Sequence, residues 1–308
     1  MRRVLVAAAA AGGLLLTTAA SCAPQEEPTE AASPPAEETT SPEPEPTTPE
    51  PLDPATVDLG NREWTYEDAW HAPVDVPLQD GTAEGDWGLT GQGPMTYDES
   101  RRVVADMDDD GDQDVVAPLT FEEQTAGYAW TSWFVWLNDG TDLVQMPYAI
   151  AYDGNCVQIT ESIEPAGDGP GVRIDRLIMA YQEPCASTPT VEADRTVVVE
   201  YDDEGNPWPV QIDPGRFWGG LCVGGGGAES EAEHEEEVRE EGVVDQAAFT
   251  VAPGLGEVAA PEPQMLHMDS GAWYSEVEGW EFMQVHLMPG GSLSDDTSLD
   301  HCVWYPED

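Results

Sequence analysis

Residues Asp106 to Pro118 have the sequence DMDDDGDQDVVAP, in which six of the first nine residues are aspartate. Carboxylates at this density repel one another, so a folded chain gathers them only where something offsets their charge. Val115 and Val116 follow at once, and such residues are typical of a buried β-strand. The stretch therefore predicts a turn that binds a cation and leads into a strand.

The spacing of the aspartates matches the ligand order of a calcium loop that uses only oxygen atoms. Such loops place carboxylates at positions one, three, five and nine, a glycine at six and a backbone carbonyl at seven. We therefore predict that Ca²⁺ is bound by Asp106, Asp108, Asp110, Asp112 (at position seven) and Asp114. Asp109 is expected to face away, and the alternative is a solvated acidic turn without a metal.

The sequence around the loop departs from an EF-hand, because Ala117 stands where the bidentate glutamate belongs and the flanks are strand-like. Downstream, FVWLNDGTDLV at 134–144 is an apolar run that ends in Asn-Asp-Gly. Residues 101–145 together resemble one FG-GAP/VCBS unit: a DxDxDGxxD loop, an apolar strand, and a strand ending in Asn-Asp-Gly. The resemblance implies a β-hairpin closed by Ca²⁺, with the five aspartates as ligands. Only one full copy is found, and a propeller needs several.

Short β-rich runs separated by Gly, Asp, Asn and Pro fill most of the remaining chain. They predict a mostly β fold of antiparallel sheets that includes the calcium-loop hairpin. We expect strands at 101–105, 114–119, 128–137, 143–150, 155–163, 172–181, 195–201 and 280–288.

Two of these runs carry further detail. In 172–181, Val172 and Ile174 alternate with Arg173, Asp175 and Arg176, which indicates a strand with one buried face. This strand is expected to form a hairpin with 156–163 through the turn-rich EPAGDGPG.

The tryptophans of the run 128–137 indicate which side of that strand is buried. Trp130 and Trp136 should share one face and Trp133 should take the other, because side chains alternate along a strand. Aromatic rings such as these can also stack on sugars, but at least part of this set is expected to be core.

The N-terminus predicts export and lipidation. Residues 1–22 have two arginines, an apolar stretch and the small residues Ala19, Ala20 and Ser21 before Cys22, which resembles a bacterial lipobox with Cys22 as the lipidated residue. The alternative is cleavage by an ordinary signal peptidase. Residues 23–55 are rich in Pro, Glu and Thr and predict a disordered stalk. Together they place the protein outside the cytoplasm, anchored by lipid to the outer face of the cell membrane.

The four remaining cysteines are an even number in an exported chain, so two disulfides are expected. Three pairings are possible, and we favour Cys156 with Cys185 and Cys222 with Cys302. None of the cysteines has the spacing of a zinc site.

The negative charge of the chain restricts which binding partners are expected. The chain has a formal net charge of −52 and no lysine, so nucleic acid is not expected to bind. The acidic run 224–242 predicts a solvated insertion and a boundary between a β-rich module at 56–215, which carries the calcium loop, and a second β-containing region at 216–308.

The lipobox, the acidic stalk and the single aspartate loop also resemble the LppP/LprE lipoproteins of Gram-positive cell envelopes. We expect a non-enzymatic envelope protein whose calcium-stabilised β module binds a cell-wall glycan or a protein. The alternative is a secreted hydrolase of wall polysaccharide or peptide. The pairs His267–Asp269 and His301–Asp300 could orient a proton shuttle, but no nucleophile accompanies them, and no catalytic residue is assigned.

Overall fold

The structure is a computed structural model. It describes residues 52–67, 73–87, 92–124, 127–154, 158–178, 187–222, 249–258, 265–269, 277, 279–287 and 299–306. Contacts divide the chain into two units, Met1–Thr48 and Pro49–Asp308, and every described residue lies in the second. The predicted signal segment, the predicted stalk up to residue 51 and the acidic insertion lie outside the described residues.

The described residues are mostly β, as the sequence predicts, and the strands pair in antiparallel sheets. The strands are β1 (Glu63–Tyr66), β2 (Val74–Pro77), β3 (Thr82–Asp86), β4 (Gln92–Tyr97), β5 (Val103–Ala105), β6 (Asp114–Glu122), β7 (Ala129–Asn138), β8 (Leu143–Asp153), β9 (Gln158–Pro165), β10 (Val172–Ile178), β11 (Val191–Glu192), β12 (Arg195–Tyr201), β13 (Pro207–Asp213), β14 (Phe217–Trp218), β15 (Met265–Asp269), β16 (Trp280–Leu287) and β17 (Leu299–Pro306).

Helical structure in the described residues is limited to three 3₁₀ turns, Pro54–Thr56, Leu59–Asn61 and Glu99–Arg101. Asp53 caps the first of these turns, because its carboxylate accepts a hydrogen bond from the backbone N–H of Ala55 at 3.1 Å. Within the described part of the chain, no helix is both long and apolar enough to cross a membrane.

The aspartate loop belongs to the first large sheet, whose strand order is β3-β4-β6-β7-β8, with β5 paired to β6. Strand β6 is buried on both faces because apolar layers cover both sides of the sheet. Val115, Ala117 and Leu119 point into the larger core cluster, and Val116 points into a second one. The near-continuous apolar run that begins at Val115 therefore suits a strand between two cores.

The second large sheet has the order β11-β10-β12-β13-β14, with β9 paired to β10. The pair β9–β10 is the hairpin that the sequence predicts. One expectation for β10 was wrong. Arg176 is buried, although it was assigned to the polar side of the strand, because its guanidinium donates to Ala193 O at 2.8 Å and to Gln158 Oε1 at 3.0 Å.

The two large sheets pack face to face through the second core cluster. Trp133 and Val135 of β7 lie there with Val172 and Ile174 of β10. Trp136 belongs to the larger core cluster on the other side of β7, and Trp130 packs against that cluster. The predicted division of the three tryptophans between two faces is therefore confirmed.

The larger core cluster extends across the boundary predicted near residue 216. It contains Trp208 of β13, Trp218 of β14 and Trp304 of β17. The ring centroids of Trp208 and Trp218 lie 5.9 Å and 5.5 Å from that of Trp304. These residues share one core, and two smaller sheets, β1-β2 and β15-β16-β17, complete the described fold.

Gly171, which precedes β10, is a position where the backbone requires glycine. Its φ is +92°, and a Cβ there would lie 2.3 Å from the carbonyl oxygen of Val197 in β12. We expect Gly171→Ala to lower the free energy of unfolding by about 2–4 kcal/mol, because left-handed strain adds to a clash with a strand backbone. Urea unfolding measures this change.

Gly169→Ala is the matched control, since no atom lies within 4 Å of a Cβ at that position. Its effect should stay within about 0.5 kcal/mol. Equal stability of the two variants would contradict the packing of β10 against β12.

Candidate functional site

The six clustered aspartates occupy the loop that joins β5 to β6 and the first residue of β6. The two strands form an antiparallel hairpin in which Ala105 is opposite Asp114. Asp109 has a φ of 62° and Gly111 a φ of 92°, and these two left-handed residues reverse the chain. Gly111, at position six of the motif, therefore lies in the turn that the sequence predicts there.

Backbone hydrogen bonds hold the start of the loop against the second sheet. Gly171 N donates to Asp106 O at 2.6 Å, and Val199 N donates to Met107 O at 2.7 Å. The Met107 side chain is fully buried in the cluster between the two sheets. The loop is thus fixed by both sheets, although its tip is exposed.

Aspartate side chains organise the tip by accepting backbone N–H groups. Asp106 accepts from Asp109 N at 2.8 Å and from Gly111 N at 3.2 Å. Asp110 accepts from Asp112 N at 2.8 Å. These short-range hydrogen bonds explain aspartate at these positions even without a metal.

Asp114 differs from the other loop aspartates because it is only 1% exposed. One of its oxygens accepts from Met107 N at 2.7 Å, and the other accepts from Asn138 N at 2.8 Å. Burial raises the pKa of Asp114 to about 7, although the two hydrogen bonds oppose that shift. The carboxylate links the start of the loop, the start of β6 and the end of β7.

The Asn-Asp-Gly turn after β7 is the second half of the motif, and the structure places it beside the first half. Besides the backbone bond to Asp114, the Asn138 side chain donates to Gln113 O at 3.2 Å. Its side-chain oxygen accepts from Gly140 N at 3.0 Å, which closes the turn. The family resemblance predicts the aspartate loop and the Asn-Asp-Gly turn in this order along the chain. The structure adds that the two are in contact.

Tyr201, at the end of β12, contacts the loop, and the sequence motif does not predict this contact. Its hydroxyl donates to Asp108 Oδ2 at 2.7 Å. Burial raises the pKa of Asp108, and the nearby carboxylates of Asp110 and Asp106 add to the rise, whereas the Tyr201 hydrogen bond opposes it. The tyrosine is 93 residues away in the chain, so sequence spacing could not associate it with the loop.

Three of the five predicted ligands converge. Asp106, Asp108 and Asp114 each have one carboxylate oxygen within 4.8 Å of the others. Two oxygen ligands about 2.4 Å from a calcium ion lie at most about 4.8 Å apart, so this spacing fits a shared ion. Asp110 and Asp112 do not join this carboxylate group and stay predicted ligands, the latter through its backbone carbonyl.

The electrostatics of the group also fit a cation. Within the described residues, the side-chain hydrogen bonds to these three carboxylates come from backbone N–H groups and one tyrosine hydroxyl, and none comes from an arginine. Hard carboxylate oxygens are the donors that calcium prefers.

The cysteine predictions fall partly outside the described residues. Cys222 and Cys302 form a disulfide with a Cα–Cα distance of 5.5 Å. Cys22, Cys156 and Cys185 lie outside the described residues. Among the candidate proton-shuttle histidines, His301 is buried and stacks on Phe217 at a centroid distance of 4.1 Å, so it is packed as a core residue.

No family model, no curated protein and no solved structure matches the chain.

Asp114 should stabilise the fold even without a metal. We expect Asp114→Ala, measured in chelator, to lower the free energy of unfolding by at least about 2 kcal/mol, because two backbone N–H groups lose their buried acceptor. Asp112→Ala is the control, because that residue is exposed and should change stability by less than about 0.5 kcal/mol. Similar effects for both variants would contradict the linking role of Asp114.

Proposed function

We propose that this chain is a non-enzymatic, lipid-anchored envelope protein whose β module is stabilised by calcium. The calcium part is supported by the convergence of the Asp106, Asp108 and Asp114 carboxylates, to which no basic side chain of the described residues is hydrogen-bonded. Mutual repulsion among these groups disfavours the folded loop, and a divalent cation would remove that cost.

The ion that we propose is structural. Catalytic metal sites keep an open position beside a base or a nucleophile. Here the buried carboxylate of Asp114, whose pKa is raised, is occupied by two backbone N–H groups and lies within the core of the hairpin. Such a residue positions the loop, and its environment does not suggest a general acid.

The anchored location rests on the N-terminal sequence and on the cysteine chemistry. Residues 1–22 carry the lipobox-like ending at Cys22, and residues 23–51 supply the acidic stalk. The predicted stalk extends to residue 55, but residues 52–55 belong to the described fold, where Pro54 is buried. The Cys222–Cys302 disulfide is typical of a protein in an oxidising compartment outside the cytoplasm. In this proposal the module stands away from the membrane and binds a wall component or an extracellular protein.

Thermal unfolding tests the calcium site. Calcium should raise the melting temperature of the full chain, because a ligand that binds only the folded state stabilises it by about 2.7 kcal/mol at a hundred times its Kd. Magnesium should have a smaller effect, since it demands stricter octahedral geometry. The Asp108→Asn variant keeps an acceptor for Tyr201 but loses its charge, so its response to calcium should be weaker.

Asp109→Asn is the matched control, because Asp109 is exposed and outside the carboxylate group, and its response should equal that of the parent. An unchanged melting temperature of the parent with calcium and with chelator would show that the loop is only an acidic turn. An equal loss of response in both variants would place the ion elsewhere.

Detergent-phase partitioning tests the anchor. We expect the chain to enter the detergent phase when expressed in a Gram-positive host, because its acyl chains would insert into lipid. Cys22→Ser should move it to the aqueous phase, whereas Ser21→Ala keeps a small residue before the cysteine and should leave partitioning unchanged. Detergent partitioning of Cys22→Ser equal to that of the parent would rule out lipidation at this residue.

A further inference from the structure

A polar cleft lies where edge strands of the two large sheets come together, away from the residues of the aspartate loop. Strand β5 pairs only with β6, and β9 pairs only with β10, among the described strands. The cleft between them has a volume of about 250 Å³. This is smaller than the roughly 300–1,000 Å³ of sites for drug-sized ligands, so it suits a small molecule.

Arg101 lines the cleft and lies over an aromatic ring. Its guanidinium carbon lies 4.5 Å from the ring centroid of Trp133, whose side chain is buried. Arg101 also forms a long ion pair with Asp153, with 3.7 Å between Nη2 and Oδ2, which exceeds the length of a direct hydrogen bond. The arginine side chain is 40% exposed, so its N–H groups are accessible.

The hydrogen bonding of Arg101 sets it apart from the other arginines. Within the described part of the chain, its guanidinium donates no hydrogen bond of 3.5 Å or less, and its contact with Asp153 is a long ion pair. The six other described arginines all donate at least one: Arg62, Arg102, Arg173, Arg176, Arg195 and Arg216. A guanidinium has five N–H donors in a planar fork that matches a carboxylate. An accessible guanidinium that lies over a ring and has only a long ion pair to a carboxylate therefore keeps N–H donors for a carboxylate ligand.

The facing strand supplies the opposite charge. Glu161 and Glu164 of β9 are exposed residues that line the same cleft. Ile163, on the same strand, and Val103 of β5 add apolar surface between the polar groups. The cleft thus combines one accessible cationic group, two carboxylates and a small apolar area. Arg102 also lines it, but that arginine is nearly buried and bonded to Glu99 and to backbone carbonyls.

We propose that this cleft binds a small zwitterion, a free α-amino acid or a short peptide with both termini free. Arg101 receives the carboxylate, and Glu161 and Glu164 receive the ammonium group. A net charge of −52 disfavours a purely anionic ligand over the whole surface, but a zwitterion avoids this repulsion. A ligand with only a cationic group would leave Arg101 with no acceptor closer than its long contact with Asp153. The site is independent of the proposed calcium ion.

Calorimetric titration of the full chain with L-alanine and with L-alanyl-L-alanine tests the site. At least one should bind saturably with a Kd of about 1 mM or lower, and the one preferred indicates the separation of the two charges. N-acetyl-L-alanine lacks the ammonium group and L-alanine amide lacks the carboxylate. Each should bind at least about tenfold more weakly, because each loses one charge-assisted contact.

Arg101→Met should abolish binding, and Arg101→Lys should retain only a weak remainder because it loses the bidentate fork. Arg62→Met is the matched control: Arg62 also lies over a tryptophan, Trp136 at 5.9 Å, but it is bonded to Asp142 and lies outside the cleft. Its binding should equal that of the parent. Thermal unfolding of each variant shows whether a loss of binding is caused by a loss of structure. If Arg101→Met does not fold, Glu164→Gln is the second test and should bind the zwitterion more weakly than the parent.

Three results would overturn the proposal. The first is a lack of saturable binding of both zwitterions to the parent. The second is binding of N-acetyl-L-alanine as tight as that of L-alanine, which would mean a plain carboxylate site. The third is unchanged binding in a folded Arg101→Met variant.

Discussion

The buried carboxylate of Asp114 is the interaction on which the loop and its surroundings depend. It accepts one N–H from Met107 at the start of the loop and one from Asn138 at the end of β7. Because this carboxylate is buried, each of these N–H groups would lose its acceptor without it. A single side chain therefore joins the start of the loop, the start of β6 and the end of β7, and a cation would offset the cost of burying its charge.

The same hairpin connects the two sheets. Met107 inserts its side chain between them, and its carbonyl accepts from Val199 on β12. Gly171 approaches Asp106 through a backbone bond that leaves no room for a larger residue, since its Cβ would meet Val197. A change of loop conformation would thus disturb the packing between the sheets, so a structural ion at the loop would act on the stability of the whole module.

Burial on both sides explains the unusual composition of the central strands. Strands β6 and β7 lie between two cores, one formed with β10 and β12 and the other with β1 and the tryptophans near the C-terminus. Their side chains are therefore apolar on both faces, as in parallel sheets, although the pairing here is antiparallel. The charges of the chain are accordingly displaced to loops, edges and the outer faces of peripheral strands, where Arg101, Glu161 and Glu164 line a common cleft.

Local patterns in the sequence were sufficient to predict the class of fold, the main strands and the hairpin that carries the aspartate loop, because period-two patterns and turn residues act locally. They missed β1 to β4, β11, β13 to β15 and β17, most of which are short and depend on partners for burial. The burial of Asp114 and the exposure of Asp112, both aspartates of one motif, depend on tertiary packing. The contacts of Asn138 and Tyr201 with the loop, and the meeting of Arg101 with the glutamates of β9, were likewise decided by sheet pairing and packing between residues far apart in the chain.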